Sequence, residues 1–299
     1  MRGDMWRGSV GLSFLGILFL GATGRTDCLG PLISDTADPV GEHTFIAQLL
    51  TYPFIKVGDF DDSGSLKYLP SGDRLVRWTT VLRPYYGLTD DWEISADIPY
   101  YYYWVTQKGR SAQGGGLGDL LLGTKYRFLK NDEEGWLPSL AALGRVKFPT
   151  GKYEGLADNL LGADRTGNGS YEYILGLALS KPLGMWHLHV SVLYDYLAEA
   201  KLDGVNTRPG DIWSAQLALE YDFTKNASLV AELTAYRQAS TRLEGQTQEG
   251  TEGRLLTLVL AAAWRFHEKA VAMAGVMVTP AGKNAEFGYT PGLLVSYTY

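Results

Sequence analysis

The 299-residue chain carries 27 Lys and Arg against 33 Asp and Glu, a formal net charge of −6, which argues against a nucleic-acid partner. Its single cysteine, Cys28, rules out an intramolecular disulfide, and four histidines supply a metal site only thinly. With 36 Gly and 19 Tyr spread evenly and no Pro/Ser-rich linker, the chain reads as one domain behind a leader.

Arg2 and Arg7 precede an apolar run from Ser9 to Leu20, and Ala22-Thr-Gly24 offers small residues for cleavage. Residues 1–24 therefore read as a secretory signal peptide. A membrane anchor needs about 18 to 20 uninterrupted apolar residues, and this run is shorter and broken by Gly. Removing Arg2, Arg7 and Asp4 with the leader moves the net charge to −7. Cys28 follows Arg25-Thr-Asp27, which lacks the small residue expected before a lipidated cysteine. Residues 25–42 are expected to form a short periplasmic segment. No later stretch could span a bilayer as a helix, and lipid otherwise admits only closed barrels.

From His43 onward the pattern alternates with period two. Trp186-His-Leu-His-Val-Ser-Val-Leu-Tyr-Asp-Tyr196 sets Trp186, Leu188, Val190, Val192, Tyr194 and Tyr196 against His187, His189, Ser191 and Asp195. Trp213–Phe223 and Leu256–Phe266 behave alike. Twelve such segments are predicted, at about 43–56, 73–87, 92–105, 118–129, 136–149, 168–181, 186–199, 211–223, 227–240, 254–266, 270–280 and 288–299. Five short turns (88–91, 130–135, 182–185, 224–226 and 267–269) alternate with six longer, Gly- and charge-rich loops.

That alternation, with Trp, Tyr and Phe recurring near segment ends as two girdles, predicts an all-β fold. It is a transmembrane antiparallel up-and-down β-barrel of about 12 strands over residues 43–299, with both termini periplasmic. The last segment presents Tyr289, Leu293, Val295 and Tyr297 outward and ends on Tyr299, as the closing strand of a bacterial outer-membrane barrel does. The expected partners are outer-membrane lipid, lipopolysaccharide and, through the Tyr299 strand, the barrel-assembly machinery.

Parity assigns Glu93, Asp97, Lys125, Arg127, Arg145, Lys147, Glu172, His187, His189, Asp195, Glu220 and Glu232 to the lumen as candidate substrate-binding residues. They predict a polar interior, basic along strands four and five and acidic along seven to nine, able to orient a dipolar solute. The competing reading is a salt-bridge network filling a narrow interior. Pro99, inside Ala96-Asp-Ile-Pro-Tyr-Tyr-Tyr-Tyr-Trp104, removes a ladder donor. It marks either a tolerated bulge or a wall kink through which an apolar solute leaves sideways.

Gly114-Gly-Gly-Leu-Gly118 precedes an alternating strand, not the helix N-terminus a nucleotide needs, and Gly151-Lys152 lacks the upstream glycine of a phosphate loop. His187 and His189 share a face without a carboxylate cluster, so no metal and no cofactor is assigned. His189 and Ser191 lie two apart on one strand, a poor geometry for a nucleophile and its base. No catalytic residue is assigned, and the chain is expected not to be an enzyme.

Gly116-Leu-Gly-Asp-Leu-Leu-Leu-Gly-Thr-Lys-Tyr-Arg-Phe128, Leu143-Gly-Arg-Val-Lys-Phe-Pro-Thr-Gly-Lys152, Gly167-Asn-Gly-Ser170 and Leu175–Lys181 resemble the outer-membrane transporters grouped as the "meta-pathway of phenol degradation" family. The likeness spans strands three to eight. It implies passage of small, poorly soluble compounds, aromatics among them, in the wider company of long-chain fatty acid transporters. Unlike those transporters, this chain has too few mature residues before its first strand for a full plug domain. The expected function is a passive outer-membrane channel for small hydrophobic or aromatic solutes. A non-transporting structural or surface-interaction barrel is the alternative, and an outer-membrane lipase a remote third.

Overall fold

A computed structural model describes residues 29–132 and 135–299. The leader and Cys28 lie outside the described residues. All twelve expected segments form strands: β1 (Phe45–Phe60), β2 (Arg74–Thr89), β3 (Trp92–Gln107), β4 (Leu120–Leu129), β5 (Ser139–Phe148), β6 (Glu172–Leu183), β7 (Trp186–Leu197), β8 (Ile212–Thr224), β9 (Ala227–Gln238), β10 (Gly253–His267), β11 (Ala270–Lys283) and β12 (Ala285–Thr298). Each pairs antiparallel with its chain neighbours. The barrel closes by β12 on β1, from Ile46 opposite Thr298 to Phe60 opposite Ala285, and the Tyr299 N–H donates to the Phe45 carbonyl at 2.9 Å.

Period-two patterning works here because lipid takes the apolar set. Leu175, Leu217, Leu260 and Leu293 stand exposed on the outer face. Around the short-turn end the rings of Trp186 and Tyr221 meet at 4.6 Å, and Phe45 meets Tyr299 at 5.5 Å. Near the opposite end Tyr194 and Trp213 lie 4.9 Å apart, so two aromatic belts bracket the apolar band.

The long connections carry structure of their own. Ala200–Leu202, Val205–Arg208, Arg242–Leu243 and Gln246–Thr247 join two outer loops in a four-stranded sheet. The sixth expected long loop is not one. β11 and β12 are linked by Asn284 alone, at φ 48°, whose side-chain amide donates to the Gly250 and Glu252 carbonyls. A polar residue that tolerates the left-handed region replaces the longer connection its Gly- and charge-rich neighbours suggested.

The Asp61 carboxylate caps the first outer turn, accepting the Ser63 hydroxyl and the Ser63 and Ser65 amides. These bonds, led by the Ser63 hydroxyl, hold its carboxyl down to about 2. A depressed folded value means the turn is fully supported above the ordinary carboxyl range and loosens only as pH falls through about 2. Carboxyl-carbon NMR titration of Asp61 should show this midpoint, and one near 3.8 would contradict the cap.

Pro99 falls where β3 changes partner. Trp92–Asp97 pairs with β4, whereas Tyr100–Gln107 pairs with the hairpin strand Arg110–Leu117. N–H and C=O of one strand residue point the same way, and the Pro99 carbonyl accepts from Gly118 N at 2.8 Å. The missing donor therefore lies at the switch, where the ladder is already interrupted. The Gly-rich run serves close approach: a Cβ on Gly115 would stand 2.2 Å from the Tyr101 carbonyl, and one on Gly118 2.3 Å from the Tyr101 ring. Beside the switch, Asp119 accepts from Gly151 N and Asn168 N, and the Thr150 hydroxyl bridges Gly118 O and Leu120 N.

Candidate functional site in the barrel lumen

Residues 29–40 are not a periplasmic tail. They cross the lumen, and Leu29, Leu32, Ile33, Asp35, Ala37 and Val40 are buried there. An irregular segment inside a barrel must find partners for its amides, and inward carboxylates of the wall supply them. Glu220 accepts from Leu29 N and Gly30 N at 2.9 and 3.1 Å. Glu232 takes three amides, Leu32 N at 2.6 Å, Ile33 N at 3.1 Å and Ser34 N at 2.7 Å. Asp35 N donates to Gln216, Ala37 N to the Ser180 hydroxyl and Val40 N to Glu93. The segment thus passes from β8 and β9 across to β3, and twelve residues suffice as a plug because the wall provides the acceptors.

The structure places the twelve residues assigned to the lumen at inward-parity strand positions, where pairing largely neutralises the expected transverse field. Arg145 binds Asp35 of the plug, and Lys147 binds Glu172. Lys125 pairs with Glu93 at 3.1 Å. Arg127 holds Asp91 at 2.7 Å and the plug's Asp38 at 3.0 Å. Asp97 takes a two-pronged contact from Arg83, at 2.8 and 3.0 Å, and both are almost fully buried. His187 contacts Asp222 at 2.8 Å. Asp195 keeps one carboxylate oxygen buried without a hydrogen-bond partner. Basic and acidic residues separate along the chain but interleave in space, because the plug contributes carboxylates beside the basic strands.

His189 meets Ser180 at 2.8 Å, not Ser191, whose hydroxyl donates to Gln216. Ser180 also receives the Ala37 amide, so this Ser–His contact helps seat the plug. Among the described residues no group of three or more His, Cys, Asp or Glu is arranged to hold a metal.

An apolar patch interrupts the polar interior expected on one side of the inner wall. Leu50, Val81, Val230, Val259, Ala261, Ala263, Met273, Met277 and Leu294 pack against Leu29, Leu32 and Ile33 of the plug. Above them the register stacks inward rows across β1, β2 and β3: Tyr52, Thr79 and Tyr101, then Phe54, Arg77 and Tyr103. Tyr101 and Tyr103 lie 6.4 Å apart and cluster with Val105, Leu75, Leu161 and Ala163. The Arg77 guanidinium sits 4.9 Å over the Phe54 ring. The Tyr103 hydroxyl is buried without a hydrogen-bond partner. Counting only charges misses this strip, although the parity that turns Asp97 inward turns Tyr101 and Tyr103 inward too. At mid-height a residual cavity of about 10 Å³ lies among Asp35, Tyr85, Glu93, Lys125 and Arg145, scarcely the size of one water.

A closed twelve-stranded barrel with two aromatic belts, a charge-paired lumen and a short internal plug is a transmembrane β-barrel of the outer-membrane class. The family model described as "Putative MetA-pathway of phenol degradation" matches residues 41–290, and the chain belongs to that family. Its fold is similar to the crystal structure of the COG4313 outer membrane channel from Pseudomonas putida F1, with TM-score 0.75 and 17% identity over 88% of this chain and 98% of that one. The NanC porin is also similar, with TM-score 0.51 and 9% identity over 84% of this chain and 98% of that one.

Proposed function

We propose that the protein is a passive outer-membrane channel for small hydrophobic or aromatic compounds. The observation that carries this reading is the apolar inner strip, running from Tyr101 and Tyr103 past Leu50 and Val81 to Met273, with Leu32 and Ile33 of the plug lying on it. A water-filled porin has no use for such a wall, because leaving apolar side chains against water forgoes about 25 cal/mol per Å². Family membership and the likeness to a protein described as an outer membrane channel support the same reading. The ten charged lumen residues and His187 and His189 would act mainly as scaffold, with the tyrosine rows as first contact for solute. Cleavage of residues 1–24 and delivery through the barrel-assembly machinery by the Tyr299 strand complete the proposal.

The plug hydrogen-bonded across the lumen favours a second reading, a non-transporting structural barrel. Entry of phenol or toluene into lipopolysaccharide-containing vesicles carrying the refolded protein separates the two. Faster, saturable aromatic entry than into empty vesicles, with no gain for a charged sugar, is the expected result. Equal rates in both vesicles would leave the structural reading standing.

The tyrosine rows allow a sharper expectation. Tyr101→Ser with Tyr103→Ser should lower saturable aromatic entry about tenfold, since each ring gives an aromatic solute about 0.7 kcal/mol of stacking. Unchanged entry would move the solute path elsewhere.

A further inference from the structure

We propose that the outer wall carries a specific site for one lipopolysaccharide molecule, in the groove between β1, β2 and β3. The groove encloses about 680 Å³ and is lined by Pro53, Ile55, Val76, Trp78 and Trp104, with Arg74 at its upper end. These six belong to the outward sets of their strands, and Val105, Thr106 and Ser111, Ala112 and Gln113 of the adjoining hairpin complete the lining. Trp78 and Trp104 are each about 40% exposed.

Height selects the occupant. Trp78 lies eleven residues above the Thr89 end of β2, which at about 3.3 Å per residue and a tilt of about 40° is ~28 Å, the upper edge of the apolar band. Arg74 stands four residues higher, ~10 Å further out, at headgroup phosphate level. Its guanidinium makes no ion pair or hydrogen bond among the described residues, so it presents an uncompensated charge. Lys108 and Arg110 are exposed on the adjoining hairpin, whose Lys108 amide is tied to the Asp73 carboxylate at 2.8 Å. Acyl-chain roots against Pro53 and Trp78 at the band's edge, the sugar headgroup on Trp104 one pair higher, and phosphate in a two-pronged contact with Arg74 match the acylated, phosphorylated headgroup of the outer leaflet. The Trp78 indole N–H is spent on Thr51 at 2.9 Å, which fixes one groove wall.

The test extracts full-length protein from outer membranes in mild detergent and quantifies retained lipopolysaccharide per barrel, with heat-modifiable electrophoretic mobility reporting folding. Wild type should retain about one molecule, and Arg74→Glu with Trp104→Ala should lower retention about fivefold or more. Trp264→Ala, on the lipid face at the opposite end, serves as control and should leave retention unchanged. Should the double variant misfold, Arg74→Gln alone gives the same reading. Equal retention by folded variant and wild type would overturn the site. So would full displacement of the retained lipopolysaccharide by phosphatidylglycerol, which would reduce the site to general anionic attraction.

Discussion

Deleting residues 29–40 should raise ion conductance through the barrel about tenfold or more in a planar bilayer, since the segment crosses the lumen and is tied to the wall at Glu220, Glu232 and Glu93. All twelve strands pair continuously around the ring without a hydrogen bond of the ladder passing through the plug, so the shortened chain should still fold. Glu232→Ala tests the same point more gently. It removes the acceptor of three buried amides, at about 1–3 kcal/mol for each donor left unsatisfied. Frequent openings are expected from this variant and fewer from Glu232→Gln, which keeps an oxygen in place. Unchanged conductance after deletion would mean that the wall itself closes the pore.

Breaking the buried Arg83–Asp97 pair should be the most destabilising single change in the barrel wall. Both side chains are almost fully buried and bind at 2.8 and 3.0 Å. Arg83→Leu leaves the Asp97 carboxylate without its cation, a loss of about 3–5 kcal/mol. Arg83→Leu combined with Asp97→Leu should be less destabilised than either single variant, because the orphaned charge goes with its partner. Urea unfolding in lipid vesicles measures this, and additive losses would show that the two residues are stabilised separately.

The wall is legible in the sequence because lipid enforces one rule along every strand. The Trp186–Tyr196 alternation reads directly as β7, and the Pro182–Met185 connection lies at the expected β6–β7 turn. The plug is not legible, since Leu32, Ile33 and Asp35 lie in a stretch without periodicity and their partners are some 110 to 200 residues away. Inward parity places Glu220 and Glu232 correctly, but nothing local shows that these acceptors face backbone amides instead of cations. Nor does it show the apolar strip, whose members come from seven strands and align only when β12 closes on β1. Arg83 escapes a sequence reading for a related reason. Its partner Asp97 is fourteen residues away, and only the β2–β3 register brings the pair face to face.

Ion current through the plug-deleted barrel, recorded while a neutral aromatic such as phenol is added, tests the central claim most directly. Saturable block by the aromatic, weakened by Tyr101→Ser and Tyr103→Ser and absent for a charged sugar, is the predicted result. Current indifferent to the aromatic but blocked by the sugar would contradict an apolar solute path and make the lumen a polar pore.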